Sequence, residues 1–94
     1  MRIRYTDGAL SDLEFIHDHQ ALHWRSKGNA FDARLSAIER RLLQFPRSAP
    51  EVSERPGVRV VAFVDFPFRL FYSVGAEEIE VLAIWHTSRK PLFE

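Results

Sequence analysis

Residues 58–86 read VRVVAFVDFPFRLFYSVGAEEIEVLAIWH. Three runs within it, Val58 to Asp65, Phe68 to Val74 and Glu78 to Trp85, are rich in β-branched and aromatic side chains, which fit a pleated, half-buried surface. The Phe66-Pro67 break separates the first two, and the Gly75 to Glu78 turn separates the last two. Connections this short join antiparallel neighbours, so the stretch predicts a three-stranded meander. Both alternating sets of the first run are apolar: Val58, Val60, Ala62 and Val64 on one parity, Val61 and Phe63 on the other. One face of the sheet can pack on helices, while the second remains oily and needs a tail or a partner to cover it.

The preceding chain supplies the helices. Phe31, Leu35, Ile38, Leu42 and Phe45 step by 4, 3, 4, 3, an apolar seam at helical spacing, with Asp32 early and Arg40 and Arg41 late as the helix macrodipole favours. Pro46 ends that helix. A further helix is expected from about Gly8 to about Trp24, with Asp7 as its N-cap. Leu10, Leu13 and Ile16 with Ala9 and Ala21 form its apolar face, and Asp12, Glu14 and Asp18 its polar one. Arg25 to Asn29 form the turn between the helices, and Arg2 to Thr6 alternate as a short first strand. The stretch from Pro46 to Pro56 holds three prolines and no periodicity, so it reads as a connecting loop. The order is β-α-α-β-β-β, an α+β fold with a helical hairpin packed on a small antiparallel sheet.

Ninety-four residues make one domain, 1–94, with no room for a second core. With 46% hydrophobic, 28% charged and 13% aromatic residues the chain is built to fold. Cysteine is absent, which removes disulfides, thiolate nucleophiles and Cys-ligated zinc, and points to the cytoplasm. The opening MRIRYTDGAL has no apolar signal region, and no run approaches the roughly 20 residues of a membrane helix. Thirteen basic and thirteen acidic residues cancel, so the overall pull toward nucleic acid is missing.

The strand, the helical hairpin ending in Phe45-Pro46, the proline-rich loop, Pro56-Gly57-Val58-Arg59, Pro67-Phe68-Arg69-Leu70-Phe71-Tyr72 and the closing Val81-Leu82-Ala83-Ile84-Trp85-His86-Thr87-Ser88-Arg89 together resemble the RelE/ParE superfamily of toxins from toxin-antitoxin modules. The likeness spans nearly the whole chain and is greatest to the ParE-like, plasmid-stabilisation branch. It implies a toxin neutralised by a cognate antitoxin, a small DNA-binding protein, in a hetero-oligomeric complex. ParE-like members are associated with inhibition of DNA gyrase by binding. RelE-like members are associated with ribosome-dependent cleavage of messenger RNA. No cofactor is implied.

An RNase that uses the 2′-hydroxyl as nucleophile needs a base, an acid and cations around the phosphate. At the positions matching that chemistry this chain has Arg59, Arg69, His86 and Arg89, with Glu51 or Glu54 as a partner carboxylate. Arg59 and Arg69 would clamp phosphate and His86 would transfer a proton. The inventory weighs against it. No lysine lies between Lys27 and Lys90, and Gly57 onward carries four basic against five acidic residues, where phosphate-backbone binding draws on many cations. Thr87 stands where a His-Tyr pair would place its phenol. The expectation is therefore no catalytic residue, with Arg59, Arg69, His86 and Arg89 binding a target or partner.

The structural alternatives are an ion pair of Arg59 or Arg69 with Asp65 or with Glu77, Glu78 and Glu80, and a hydrogen-bonded sheet-edge role for His86. Arg89 lies in the polar HTSRKP segment, where no core demands it. His17, His19 and His23 sit on the first helix, and the last two are four apart, a zinc-ligand spacing. With no further His nearby they read as a solvated surface, and no metal is expected. Phe15 and Trp24 fall outside the helix stripe and suit rim packing or a partner contact.

Overall fold

The computed structural model describes the backbone of residues 1–23 and 28–93, and the side chains of residues 1–19 and 30–93. The elements run β1 Arg2–Tyr5, α1 Asp7–His23, α2 Gly28–Gln44, β2 Val58–Ala62, β3 Phe68–Val74 and β4 Glu78–His86. The β-α-α-β-β-β order is as expected. The expected position of Trp24 and most of the Arg25 to Asn29 turn lie outside the described residues.

The sheet has the order β1-β4-β3-β2. The meander β2-β3-β4 is antiparallel, but β1 pairs with β4 in parallel, Arg2 opposite Glu78 through Tyr5 opposite Val81. The sheet is thus mixed rather than wholly antiparallel. The difference lies in the connection: a hairpin turn forces reversal, whereas the two helices after β1 carry the chain across the sheet and leave its direction free.

α1 begins one residue earlier than expected, and Thr6 rather than Asp7 caps it. The Ala9 backbone N–H donates to Thr6 Oγ1 at 3.1 Å, and Leu10 N–H donates to the Thr6 carbonyl at 2.9 Å. A cap needs extended backbone ahead of the first turn, and Thr6 holds that place directly after β1. Asp7 is then the first helical residue, where its charge still suits the dipole.

The core lies between the helical layer and one sheet face. Ala9, Ile16, Phe31, Leu35, Ile38 and Leu42 meet Phe63, Phe68, Leu70, Tyr72, Ile79, Val81 and Ile84, with Leu13 packed at the margin. Phe31 is its hub: its ring stacks on Phe63 at 4.9 Å and meets Phe66 and Phe68 edge-on at 5.4 and 5.8 Å. Two expected stripe residues are instead exposed, Leu10 by 51% and Phe45 by 56%. The apolar residues of α1 that pack on the core lie along the Ala9, Leu13, Ile16 line, and Phe45 follows the end of α2 at Gln44, where the helical phase no longer carries it inward.

β4 contains a bulge. Phe71 pairs with Ala83 but Tyr72 with Val81, so Leu82 is an extra residue in β4. Before it Ile79 and Val81 face the helices; after it Ile84 does, and Ala83 and Trp85 move to the outer face. That face carries a smaller cluster, Val58, Phe71 and Ala83, flanked by Val60, Leu82 and Trp85 and covered by Val52, Leu92 and Phe93. The oily second face is thus partly covered by the chain itself.

Candidate functional site

The outer sheet face holds a cavity of about 360 Å³. Val60, Phe71 and Trp85 floor it, Arg69, His86 and Arg89 bring cationic or titratable groups to it, and Glu54 faces them from the loop. Pro91, Leu92 and Phe93 close one side. Three of the four residues singled out in the sequence therefore meet here. β-strand pairing explains Arg69, which is directly opposite Trp85 on the outer face; His86 is on the next rung, opposite the core residue Phe68, and borders both this cavity and the groove beside α1.

Arg59 does not join them. It lies on the opposite parity to Val58 and Val60, and its guanidinium donates to the Arg47 carbonyl at 3.1 Å and the Ala49 carbonyl at 2.7 Å. Glu51 Oε1 is 3.7 Å from the same group. Arg59 thus pins the proline-rich loop against β2, helped by backbone bonds from Val52 to Val58 and from Val60 to Pro50. A phosphate clamp of Arg59 with Arg69 is not formed, because alternate residues on paired strands leave opposite faces. The expected pairing of Arg59 or Arg69 with Glu77, Glu78 or Glu80 is not the one found. Arg2 and Arg4 hold Glu78, and Arg4 also pairs with Glu80, since the parallel register sets these residues across from one another.

His86 ends β4 beyond the reach of β1, which pairs only as far as Val81, so it stands at a local sheet edge as expected, and it is hydrogen-bonded there. The Ser88 backbone N–H donates to its Nδ1 at 3.1 Å, and Ser88 Oγ lies 2.7 Å from the same nitrogen. Accepting at Nδ1 leaves the neutral ring's proton on Nε2. Phe68 meets the imidazole edge-on at 5.2 Å. Arg89 does have a structural partner: its guanidinium lies 3.9 Å from the Trp85 ring centroid, a cation–π stack. The Arg89 N–H donates to the His86 carbonyl at 3.1 Å, closing a turn at the edge of the cavity.

The phenols are committed elsewhere. Tyr72 O–H donates to the Pro46 carbonyl at 2.8 Å, and burial raises its pKa. Tyr5 O–H donates to Glu39 at 2.7 Å, and burial, reinforced by that carboxylate, raises its pKa strongly. Neither is available as a proton donor in the cavity.

A second, smaller groove of about 140 Å³ lies between α1 and the end of β4, lined by Asp12, Phe15, Ile16, His19, Phe68, Ile84 and His86. Phe15 is 69% exposed on its rim and stacks on His19 at 5.7 Å. Asp12 Oδ2 accepts the Ile84 N–H at 3.0 Å, a group that β1 is too short to reach. Burial raises the Asp12 pKa, opposed by that N–H and by the charge of Arg89. No local pattern in the sequence signals this strand-capping role.

A raised folded-state pKa means that the native protein holds this proton more tightly than the unfolded chain. Asp12 thus costs stability as pH rises from its ordinary value of 3.8 through the raised one. Asp12→Asn, which keeps an acceptor for Ile84, is expected to flatten that part of the stability–pH curve without loss at neutral pH. Asp12→Ala is expected to destabilise at every pH by leaving the N–H unpaired. Urea denaturation across pH 4 to 7 checks both, and identical profiles for the two variants would contradict the assignment.

His17 Nε2 contacts Asp32 Oδ1 at 2.8 Å, tying α1 to α2, and His19 is turned to Phe15. The His23 side chain lies outside the described residues. Among the described residues no group of three or more His, Cys, Asp or Glu could hold a metal ion, and no helix is long and apolar enough to cross a membrane.

The family model described as "ParE toxin of type II toxin-antitoxin system, parDE" matches residues 3–91. A solved structure titled "Chromosomal ParDE TA system from P. aeruginosa" is 28% identical, with a TM-score of 0.78 over 94% of this chain and 97% of that chain. The isolated E. coli RelE toxin has the same fold, with a TM-score of 0.65 over 96% of this chain and 87% of that one at 19% identity. None of the curated proteins matches. A match that runs from β1 to the segment beyond Arg89, and so takes in both sheet faces and the cavity, places this chain in the ParE toxin family of type II toxin-antitoxin systems.

Proposed function

We propose that this toxin acts in the cytoplasm by binding a protein target, DNA gyrase, through the outer sheet face, and that a cognate antitoxin neutralises it. The observation that carries this reading is the composition of the cavity. Arg69 and Arg89 stand beside Phe71 and Trp85, the arginine and aromatic pairing that dominates protein-binding hot spots. Arg59 is engaged with the loop on the other face, and both Tyr5 and Tyr72 are engaged with internal acceptors. The second apolar region, the α1 groove with exposed Phe15 on its rim, suits the antitoxin.

One observation favours a second reading. Arg69, His86, Arg89 and Glu54 border the same cavity, and these are the residue types that messenger cleavage on the ribosome would draw on. Induction of the toxin without antitoxin separates the two. The expected result is growth arrest with altered plasmid supercoiling and intact messenger RNA. Messenger cleavage with unaltered supercoiling would overturn the gyrase reading.

A further inference from the structure

The cavity wall formed by residues 90–93 differs from the others in how it is held. It belongs to no helix or strand, and is seated by the packing of Leu92 and Phe93 on the outer-face cluster and by the following contacts. Trp85 Nε1–H donates to the Lys90 carbonyl at 2.8 Å. The Phe93 ring meets Phe71 edge-on at 5.7 Å, and the Arg55 guanidinium covers Phe93 from outside at 5.2 Å. Leu92 and Phe93 are only partly buried, unlike Tyr72, Ile79 and Val81, which have no exposed surface. Partly buried contacts and, among the described residues, one solvent-side hydrogen bond place the segment at the low end of local stability, able to open without unfolding the sheet beneath.

We propose that Lys90–Phe93 is a displaceable strap that gates the Arg69–His86–Arg89 cavity. The turn from His86 to Arg89, held by its own hydrogen bonds and by the Arg89–Trp85 stack, is the fixed hinge. With the strap seated, Pro91, Leu92 and Phe93 wall the cavity, and Phe71 and the Trp85 indole N–H are used internally. With it lifted, Phe71 and the Trp85 edge become available beside Arg69. The same side chains serve the strap or a bound macromolecule, not both. The seated strap therefore lowers the apparent affinity for a target by the fraction of molecules that are open. This rests on the reading that the outer face is the target-binding surface.

Hydrogen exchange by NMR tests the gate without any target. The Trp85 indole N–H is expected to be protected, yet by at least about a hundredfold less than the Ile79 and Val81 amides, because strap opening is local and core opening is global. Phe93→Ser is expected to speed indole exchange about tenfold while those amides are unchanged. No protection, or protection equal to that of the core, overturns the proposal.

In cells lacking antitoxin and at matched protein levels, Arg55→Ala, which removes only the outer clasp, is expected to arrest growth at several-fold lower induction. Unchanged, weaker or absent arrest overturns the gate. Earlier arrest with unaltered supercoiling leaves the gate standing and removes gyrase as the target.

Discussion

Phe31→Ala is expected to cost about 3 to 5 kcal/mol of folding stability. The ring has no exposed surface, stacks on Phe63 and is enclosed by Phe66 and Phe68, so its removal loses transfer energy and leaves a cavity in an aromatic cluster with little freedom to collapse. Leu35→Ala and Ile38→Ala, one turn and two turns along the same stripe of α2, are expected to cost about 2 to 5 kcal/mol each. Phe45→Ala, on an exposed ring beyond the helix end, should stay within about 0.5 kcal/mol. Denaturant unfolding measures all four. A loss under about 0.5 kcal/mol at Leu35 or Ile38 would mean that α2 does not face the core.

The second large effect concerns toxicity. Arg89→Ala is expected to abolish growth inhibition and His86→Gln to leave most of it. In a binding mechanism Arg89 supplies a charged contact, and truncating one partner of a buried charged pair costs about 2 to 5 kcal/mol. That is roughly a thirtyfold to several-thousandfold loss of affinity. The fold should survive, since the Arg89–Trp85 stack sits on an exposed turn and such contacts are worth about 0.5 to 1 kcal/mol there. Gln at position 86 keeps much of the shape and hydrogen bonding while removing the imidazole that proton transfer would need. In messenger cleavage the order reverses, because losing a general acid or base lowers rate about a hundredfold to ten-thousandfold. A harmless His86→Gln beside a still toxic Arg89→Ala, with protein levels checked, would overturn the binding mechanism.

The two faces of the sheet also separate the tasks of the arginines. Arg59 and Arg69 sit one strand apart on the ladder, yet one fastens a loop and the other lines a cavity. Arg59→Ala is therefore expected to act through the loop, by unpairing the Arg47 and Ala49 carbonyls, and not through loss of target contact.

The element order, the stripe of α2 and the meander were legible in the sequence because each is a local pattern: helical spacing from Phe31 to Leu42, alternation broken at Phe66-Pro67, and a turn at Gly75. The same locality made the second oily face predictable, since both parities of Val58 to Val64 are apolar. What tertiary structure alone decided was the assignment of side chains to faces and partners. The extra residue Leu82 shifts Trp85 to the outer face, and the unconstrained crossover sets β1 parallel to β4 so that Arg2 and Arg4 take the glutamates expected for other arginines. Such pairings join residues up to 76 positions apart and depend on register. Register is fixed by the summed packing of a whole sheet, which no window of sequence contains.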